Sequence, residues 1–98
     1  MPWMYILQCA DGSYYVGATT DLERRVREHN QGKGARYTKG RQPVKLVYAV
    51  EFASFSEAYR WERKVHRWGR AKREALIRGE ITLTPESVLK KGANEHPE

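Results

Sequence analysis

WMYILQCADGSYYVGATTDLERRVREHN, residues 3–30, contains two short strand-like runs, a tight turn between them and a helix with its own start signal. Trp3 to Cys9 is apolar and aromatic and too short for a stable helix, which predicts a buried strand. Asp11-Gly12 marks a turn, and Tyr14 to Thr19 is again aromatic and β-branched. The length of the turn decides which residues share a face. A two-residue loop, Asp11-Gly12, pairs Ala10 with Ser13 and puts Tyr5 and Tyr15 on opposite faces. A three-residue loop, Ala10-Asp11-Gly12, places Gly12 in the left-handed position of a type I turn plus bulge. Cys9 then pairs with Ser13, Leu7 faces Tyr15 and Tyr5 faces Gly17, which leaves space beside the Tyr5 ring. In that register Met4 and Ile6 meet Val16 and Ala18 on a continuous apolar face, and this is the register expected here.

Outward from the hairpin, Thr20-x-x-Glu23 has the form of a capping box and predicts a helix from Asp21 to about Asn30, stopped by Gly32 and Gly34. Leu22 and Val26 form its narrow apolar stripe. Arg25 and His29, four residues apart, neighbour each other at the stripe's margin, while Arg24 and Arg27 look outward. Residues 31–43, QGKGARYTKGRQP, form a glycine-rich basic loop. It is either a plain connector or, with Lys33, Arg36, Lys39 and Arg41 interleaved with Tyr37, a clamp for a phosphate backbone; the second is preferred. Val44 to Phe52 alternates as a third strand, with Leu46, Tyr48, Val50 and Phe52 on one face. Ser54-x-x-Glu57 opens a second helix reaching about Trp68, with Ala58, Trp61, Val65 and Trp68 as its apolar stripe. Glu62 sits beside that stripe. Gly69 breaks the helix, and a short basic helix follows from about Arg70 to Arg78, anchored by Ala71, Ala75 and Leu76. Beyond Gly79 the apolar residues thin to Ile81, Leu83, Val88 and Leu89. The expected organisation is one domain over residues 1–80 and an extension over 81–98, disordered from about residue 90.

Composition bounds the function. With 98 residues and 40% hydrophobic content there is room for one small core, and wholesale disorder is excluded. A formal charge of +6 and a pI near 9.7 favour a polyanionic partner, nucleic acid ahead of an anionic membrane surface. No apolar run approaches a membrane span and no leader pattern opens the chain, so a cytoplasmic protein is expected. The single cysteine, Cys9, reads as a buried thiol. With His29, His66 and His96 it makes no zinc-ligand pattern.

Taken singly, the polar residues of these elements have plain explanations. Strand tyrosines usually pack with a satisfied hydroxyl. Arg25 and Glu62 could be a surface ion pair, His29 a favourable charge at a helix C-terminus and Gly17 a bulge glycine. Together they resemble the GIY-YIG endonuclease domain, specifically its small stand-alone members, over roughly residues 3–78. Trp3-Met4-Tyr5 stands at the GIY position and Tyr15-Val16-Gly17 at the YIG position. Thr19 to Arg25 with His29-Asn30 is similar to the family's helix motif, and Glu62 in Trp61-Glu62-Arg63-Lys64 stands at the metal-binding glutamate. The small-protein subgroup is also similar in Gly34-Ala35-Arg36-Tyr37-Thr38 and in Pro43 to Tyr48. Two departures are visible. Trp3 and Met4 replace Gly and Ile, and no Asn follows Glu62 before Asn94, where larger family nucleases carry one.

The resemblance implies an α/β domain of the α+β type, a three-stranded antiparallel sheet flanked by helices. It also implies a metal-dependent endonuclease that hydrolyses DNA phosphodiester bonds in repair or processing. Glu62 would hold one divalent cation, Mg²⁺ by its preference for carboxylate oxygen. Arg25 would present its guanidinium fork to the nonbridging oxygens. Tyr5 would orient or deprotonate the attacking water, with Tyr15 and His29 in support. These groups are expected to line one open, positively charged concavity. The alternative is a nucleic-acid-binding module, for DNA or RNA, that keeps the fold and cuts slowly or not at all.

Overall fold

A computed structural model describes residues 1–83. The central strand, β1 (Trp3–Gln8), pairs antiparallel on one side with β2 (Tyr14–Thr19) and on the other with β3 (Lys45–Glu51), giving the order β2-β1-β3. Both of its faces are covered, so Met4, Tyr5, Ile6 and Leu7 are all buried. The hairpin adopts the three-residue register. Tyr5 is opposite Gly17 and Leu7 opposite Tyr15. The turn closes through Cys9 N–H to Ser13 O at 2.8 Å and Gly12 N–H to Cys9 O at 2.9 Å. Gly12 takes φ +88°, a conformation that costs a residue with a Cβ but not glycine. The Asp11 carboxylate accepts from the Ser13 backbone and hydroxyl at 3.0 and 2.6 Å, bracing the turn from outside.

Period-two alternation gives the sheet two cores. Met4, Ile6 and Val16 pack with Phe52, Ala58, Val65, Leu76 and Leu83 under the two later helices. Tyr5, Leu7, Cys9 and Val44 pack with Leu22 and Val26 of the first helix. Helices therefore lie on both sides of the sheet, as expected. Burying a side chain such as Val65 or Leu76 contributes about 1.5–3 kcal/mol each.

Several boundaries differ from the sequence expectation. The first helix, α1 (Leu22–Asn30), is capped by Asp21 and not by Thr20; its carboxylate accepts from Arg24 N–H at 3.2 Å. Thr19, Thr20 and Asp21 are all competent caps, and a carboxylate gains more from the helix dipole than a hydroxyl does. On β3, Ile6 pairs with Tyr48 but Leu7 pairs with Leu46, so Val47 is an extra residue at a bulge. Leu46 is thereby turned away from the face of Tyr48 and Val50 and left 41% exposed. The second helix, α2 (Phe55–His66), starts where Ser54 accepts from Glu57 N–H at 3.2 Å, and it ends before Trp68. Arg73 of α3 (Arg70–Ile77) donates to Val65 O at 3.2 Å and His66 O at 2.6 Å, adding to the Trp68 N–H bond that Val65 O already accepts at the end of α2. In α3 Ala71 is exposed, and Leu76 with Ile77 makes the anchor. The expectations for Val88, Leu89 and a disordered tail from about residue 90 lie outside the described residues.

Candidate active site

The second core contains the polar exceptions. Tyr5 comes from β1, Tyr15 from β2, and Arg25 and His29 from α1. The Tyr5 hydroxyl lies 2.9 Å from His29 Nε2, and His29 Nδ1 lies 2.8 Å from Thr38 Oγ1. The Tyr15 ring is 5.0 Å from the imidazole and 6.4 Å from the Tyr5 ring, centroid to centroid. Gly17 is what lets Tyr5 lie flat against β2. A Cβ there would stand 2.5 Å from the Tyr5 oxygen and 2.7 Å from Cζ, so the space left by the missing side chain is filled by the phenol. Gly34 does the same for His29, whose ring atoms would overlap a Cβ at that position.

The residues do not line a fully open concavity. Tyr5 is 1% exposed and His29 0%. The reason is the loop over residues 31–43, which folds back across them. Thr38 enters the interior, Tyr37 stacks on Tyr15 (6.2 Å, 23° between planes), and Ala10 N–H binds Arg41 O at 2.9 Å. Asn30 ties the far end down by a reciprocal pair of bonds with the Val44 backbone, at 2.7 and 3.1 Å. Arg25 stands at the rim. Its guanidinium donates to Glu28 Oε1 and to Gly34 O, each at 2.9 Å, and approaches the Tyr5 hydroxyl closely enough to lower its pKa. The ion-pair partner of Arg25 is thus Glu28, one helical turn on, and not Glu62. Beside Arg25 an open cavity of about 540 Å³ runs past Ala18, Thr19, Arg24 and Glu28 to Phe55.

Electrostatics assigns protonation states. Burial, helped by the neighbouring Tyr15, pushes the Tyr5 phenol up to about 12, against the pull of Arg25. Burial, reinforced by the Arg25 charge, pushes His29 down to about 4. At neutral pH Tyr5 is protonated and His29 uncharged. Glu62 of α2 lines a shallow cavity with Arg63, His66 and Arg67, and its charge raises the pKa of both Tyr5 and Tyr15. Its own pKa is raised by burial, opposed by His66 and Arg63. No hydrogen bond or ion pair joins its carboxylate to another described residue.

A half-buried carboxylate with open coordination fits a hard cation that keeps several waters. No group of three or more His, Cys, Asp or Glu side chains is placed to hold a metal among the described residues. Any ion here would therefore be held by the one protein carboxylate and completed by water and phosphate oxygens.

Of the expected phosphate-binding residues, Lys33, Arg36, Tyr37 and Lys39 are exposed, and the three cations ring a shallow cavity of about 270 Å³ with Gly32 and Ala35. Arg41 is set apart from them. It binds Asp11 at 3.0 Å and Tyr37 O at 2.6 Å, and stacks 4.1 Å over the Tyr37 ring. That arginine secures the loop to the hairpin turn. Sequence reasoning also passed over Thr38, Gly34 and Glu28. Only the similarity of the Gly34 to Thr38 run to the subgroup marked out Thr38 and Gly34, whose partners in α1 are distant in sequence. Glu28 stands within α1, three and four residues after Arg25 and Arg24, at the spacing that helix periodicity offers.

The described helices include none long and apolar enough to cross a membrane. The family description GIY-YIG catalytic domain matches residues 1–75. The chain is 51% identical over 75 residues to the UPF0213 protein BH0048 of Halalkalibacterium halodurans, covering 76% of this chain and 80% of that one. It is 51% identical over 77 residues to the UPF0213 protein VNG_2274C of Halobacterium salinarum, covering 79% and 100%. The solution NMR structure of BH0048 superposes with a TM-score of 0.51 at 50% identity, over 79% of this chain and 83% of that one. That of EF2693 from E. faecalis gives 0.54 at 36% identity, over 84% and 88%. A family match that runs from the first strand into α3, with relatives identical at half their aligned positions, makes this chain a member of the GIY-YIG family.

Proposed function

We propose that the protein is a divalent-metal-dependent endonuclease that hydrolyses phosphodiester bonds in DNA. What supports this reading is the grouping of Tyr5, Tyr15, Arg25 and His29, from three separate elements, with Glu62 of α2 near enough for its charge to act on both tyrosines. Hydrolysis forms a bond from a water oxygen to phosphorus, breaks the bond to the leaving oxygen and moves one water proton away. Arg25 faces the cavity where a phosphate would lie and gives its nonbridging oxygens a fixed, charged donor. Tyr5, with His29 behind it, orients the water and takes its proton, and Tyr15 supports the arrangement. A Mg²⁺ ion at Glu62 would stabilise the developing charge and the leaving oxygen. A phenol held near 12 is a weak acid, so Tyr5 needs both the adjacent imidazole and nearby positive charge to serve as a base.

Nucleic-acid processing or repair in the cytoplasm is the matching role. Incubating the protein with duplex, single-stranded and branched DNA, and with RNA, in Mg²⁺ or in EDTA tests the reading. Cutting of DNA in Mg²⁺ alone is expected. Tight binding without cutting, indifferent to EDTA, would give the binding-module reading instead.

The exposed cations predict how binding responds to salt. Replacing Lys33, Arg36 and Lys39 together with Ala should flatten the plot of log affinity against log salt by about 0.9 for each phosphate that is no longer neutralised. Arg41 is left in place because it holds the loop. An unchanged slope would move the phosphate-binding surface to another face, such as the outer side of α2, where Phe55 stacks on Tyr59 beside Arg63 and Arg67.

A further inference from the structure

We propose that Thr38 is a positioning residue that holds His29 as the Nδ1–H tautomer, so that Nε2 stands unprotonated to receive the Tyr5 hydroxyl proton. The catalytic part of this inference rests on the reading of Tyr5 as the proton acceptor at the site; the tautomer itself does not.

The assignment follows from counting donors and acceptors around two buried rings. Thr38 is fully buried, and its single hydroxyl proton is directed to Ala35 O at 3.1 Å. Toward His29 Nδ1, 2.8 Å away, the Thr38 oxygen therefore offers lone pairs, and Nδ1 must carry the hydrogen. Nε2 is then an acceptor, and Tyr5 donates to it across 2.9 Å. Every proton in the row runs the same way, Tyr5 to His29 to Thr38 to Ala35, and no buried side-chain polar atom among the described residues is left without a partner.

The opposite tautomer fails at the Tyr5 end. Nε2–H would donate to the phenol oxygen, which the Arg25 guanidinium also approaches. The Tyr5 hydrogen would then face two donors and have no acceptor. The neutral state of His29 makes the choice consequential, because an imidazole carrying both protons would offer no acceptor at all. Gly34 keeps the ring from escaping, since its backbone packs directly on the imidazole. Thr38 thus does at a distance from the phosphate what an orienting group does for a catalytic histidine: it selects which nitrogen is basic.

Nitrogen-15 NMR of the histidine side chains reads the tautomer directly in the wild-type protein, with no need for substrate. His29 is expected to show a protonated Nδ1 and a pyridine-like Nε2. Thr38→Val, which keeps the shape and removes the acceptor, should shift His29 toward Nε2–H or a mixture. It should lower kcat by about tenfold to a hundredfold with KM little changed, and Thr38→Ser should restore both readouts. A wild-type His29 protonated at Nε2, or a Thr38→Val spectrum identical to wild type, would overturn the inference. The Nδ1–H signature in a wild-type protein that cuts no nucleic acid would uphold the positioning role and bring down the nuclease reading.

Discussion

Glu62→Gln is expected to lower Mg²⁺-dependent cleavage by about a thousandfold or more, since a bound cation contributes several kcal/mol of charge stabilisation in such a reaction. The same substitution should leave the protein folded and at least as stable as wild type. Glu62 makes no hydrogen bond or ion pair with another described residue, and burial raises its pKa. An acid whose folded pKa lies above its unfolded value costs the native state stability once pH exceeds the unfolded value, and protonation at lower pH removes that cost. Glutamine removes it at every pH. Cleavage rates with thermal melts at pH 7 therefore make a paired measurement, with activity falling while the melting temperature holds or rises. Cleavage at the wild-type rate would remove Glu62 from the metal site. A drop in both quantities would make it a structural residue.

Gly17→Ala is expected to damage both stability and activity. A Cβ would come within 2.5 Å of the Tyr5 oxygen and 3.0 Å of Tyr15 Cε2, and Tyr5 is buried in the second core, against which Leu22 and Val26 of α1 pack. Overpacking of this kind costs about 1–3 kcal/mol. Displacing Tyr5 by an ångström should cost about a hundredfold in cleavage rate. It should also stretch the hydrogen bond to His29, visible as a change in the His29 side-chain nitrogen shifts. Wild-type stability with wild-type shifts would mean that the phenol has somewhere to go and that glycine is dispensable there.

The parts of the fold governed by short-range rules were legible. Gly12 after Asp11 announced the turn, and period-two patterning placed the tyrosines on one face and Met4 and Ile6 on the other. Where several residues could do one job, local signals leave the exact position open, and Asp21 takes the cap that Thr20 is also competent to form. The bulge at Val47 had no local marker. It arises from how β3 meets β1, and it reversed Leu46. The loop over residues 31–43 was least legible, because its conformation is set by partners far away in the chain: Asp11 for Arg41, His29 for Thr38 and Tyr15 for Tyr37. Resemblance picked out Tyr5, Tyr15, Arg25, His29 and Glu62. It could not reveal that Tyr5 and His29 lie under that loop, since burial depends on how the loop closes.

The hairpin turn also governs how the chain can change over evolutionary time. Because β1 alternates between the two cores, residues 4 and 6 serve one and residues 5 and 7 the other. Losing one residue from Ala10-Asp11-Gly12 would exchange the two sets on β2, sending Tyr15 toward α2 and Val16 toward His29. The turn should therefore accept many substitutions and almost no insertions or deletions. Descent within such a lineage would keep the spacing between Tyr5 and Tyr15 long after the intervening letters had drifted, and a count of ten would be a more durable signature than any residue inside it.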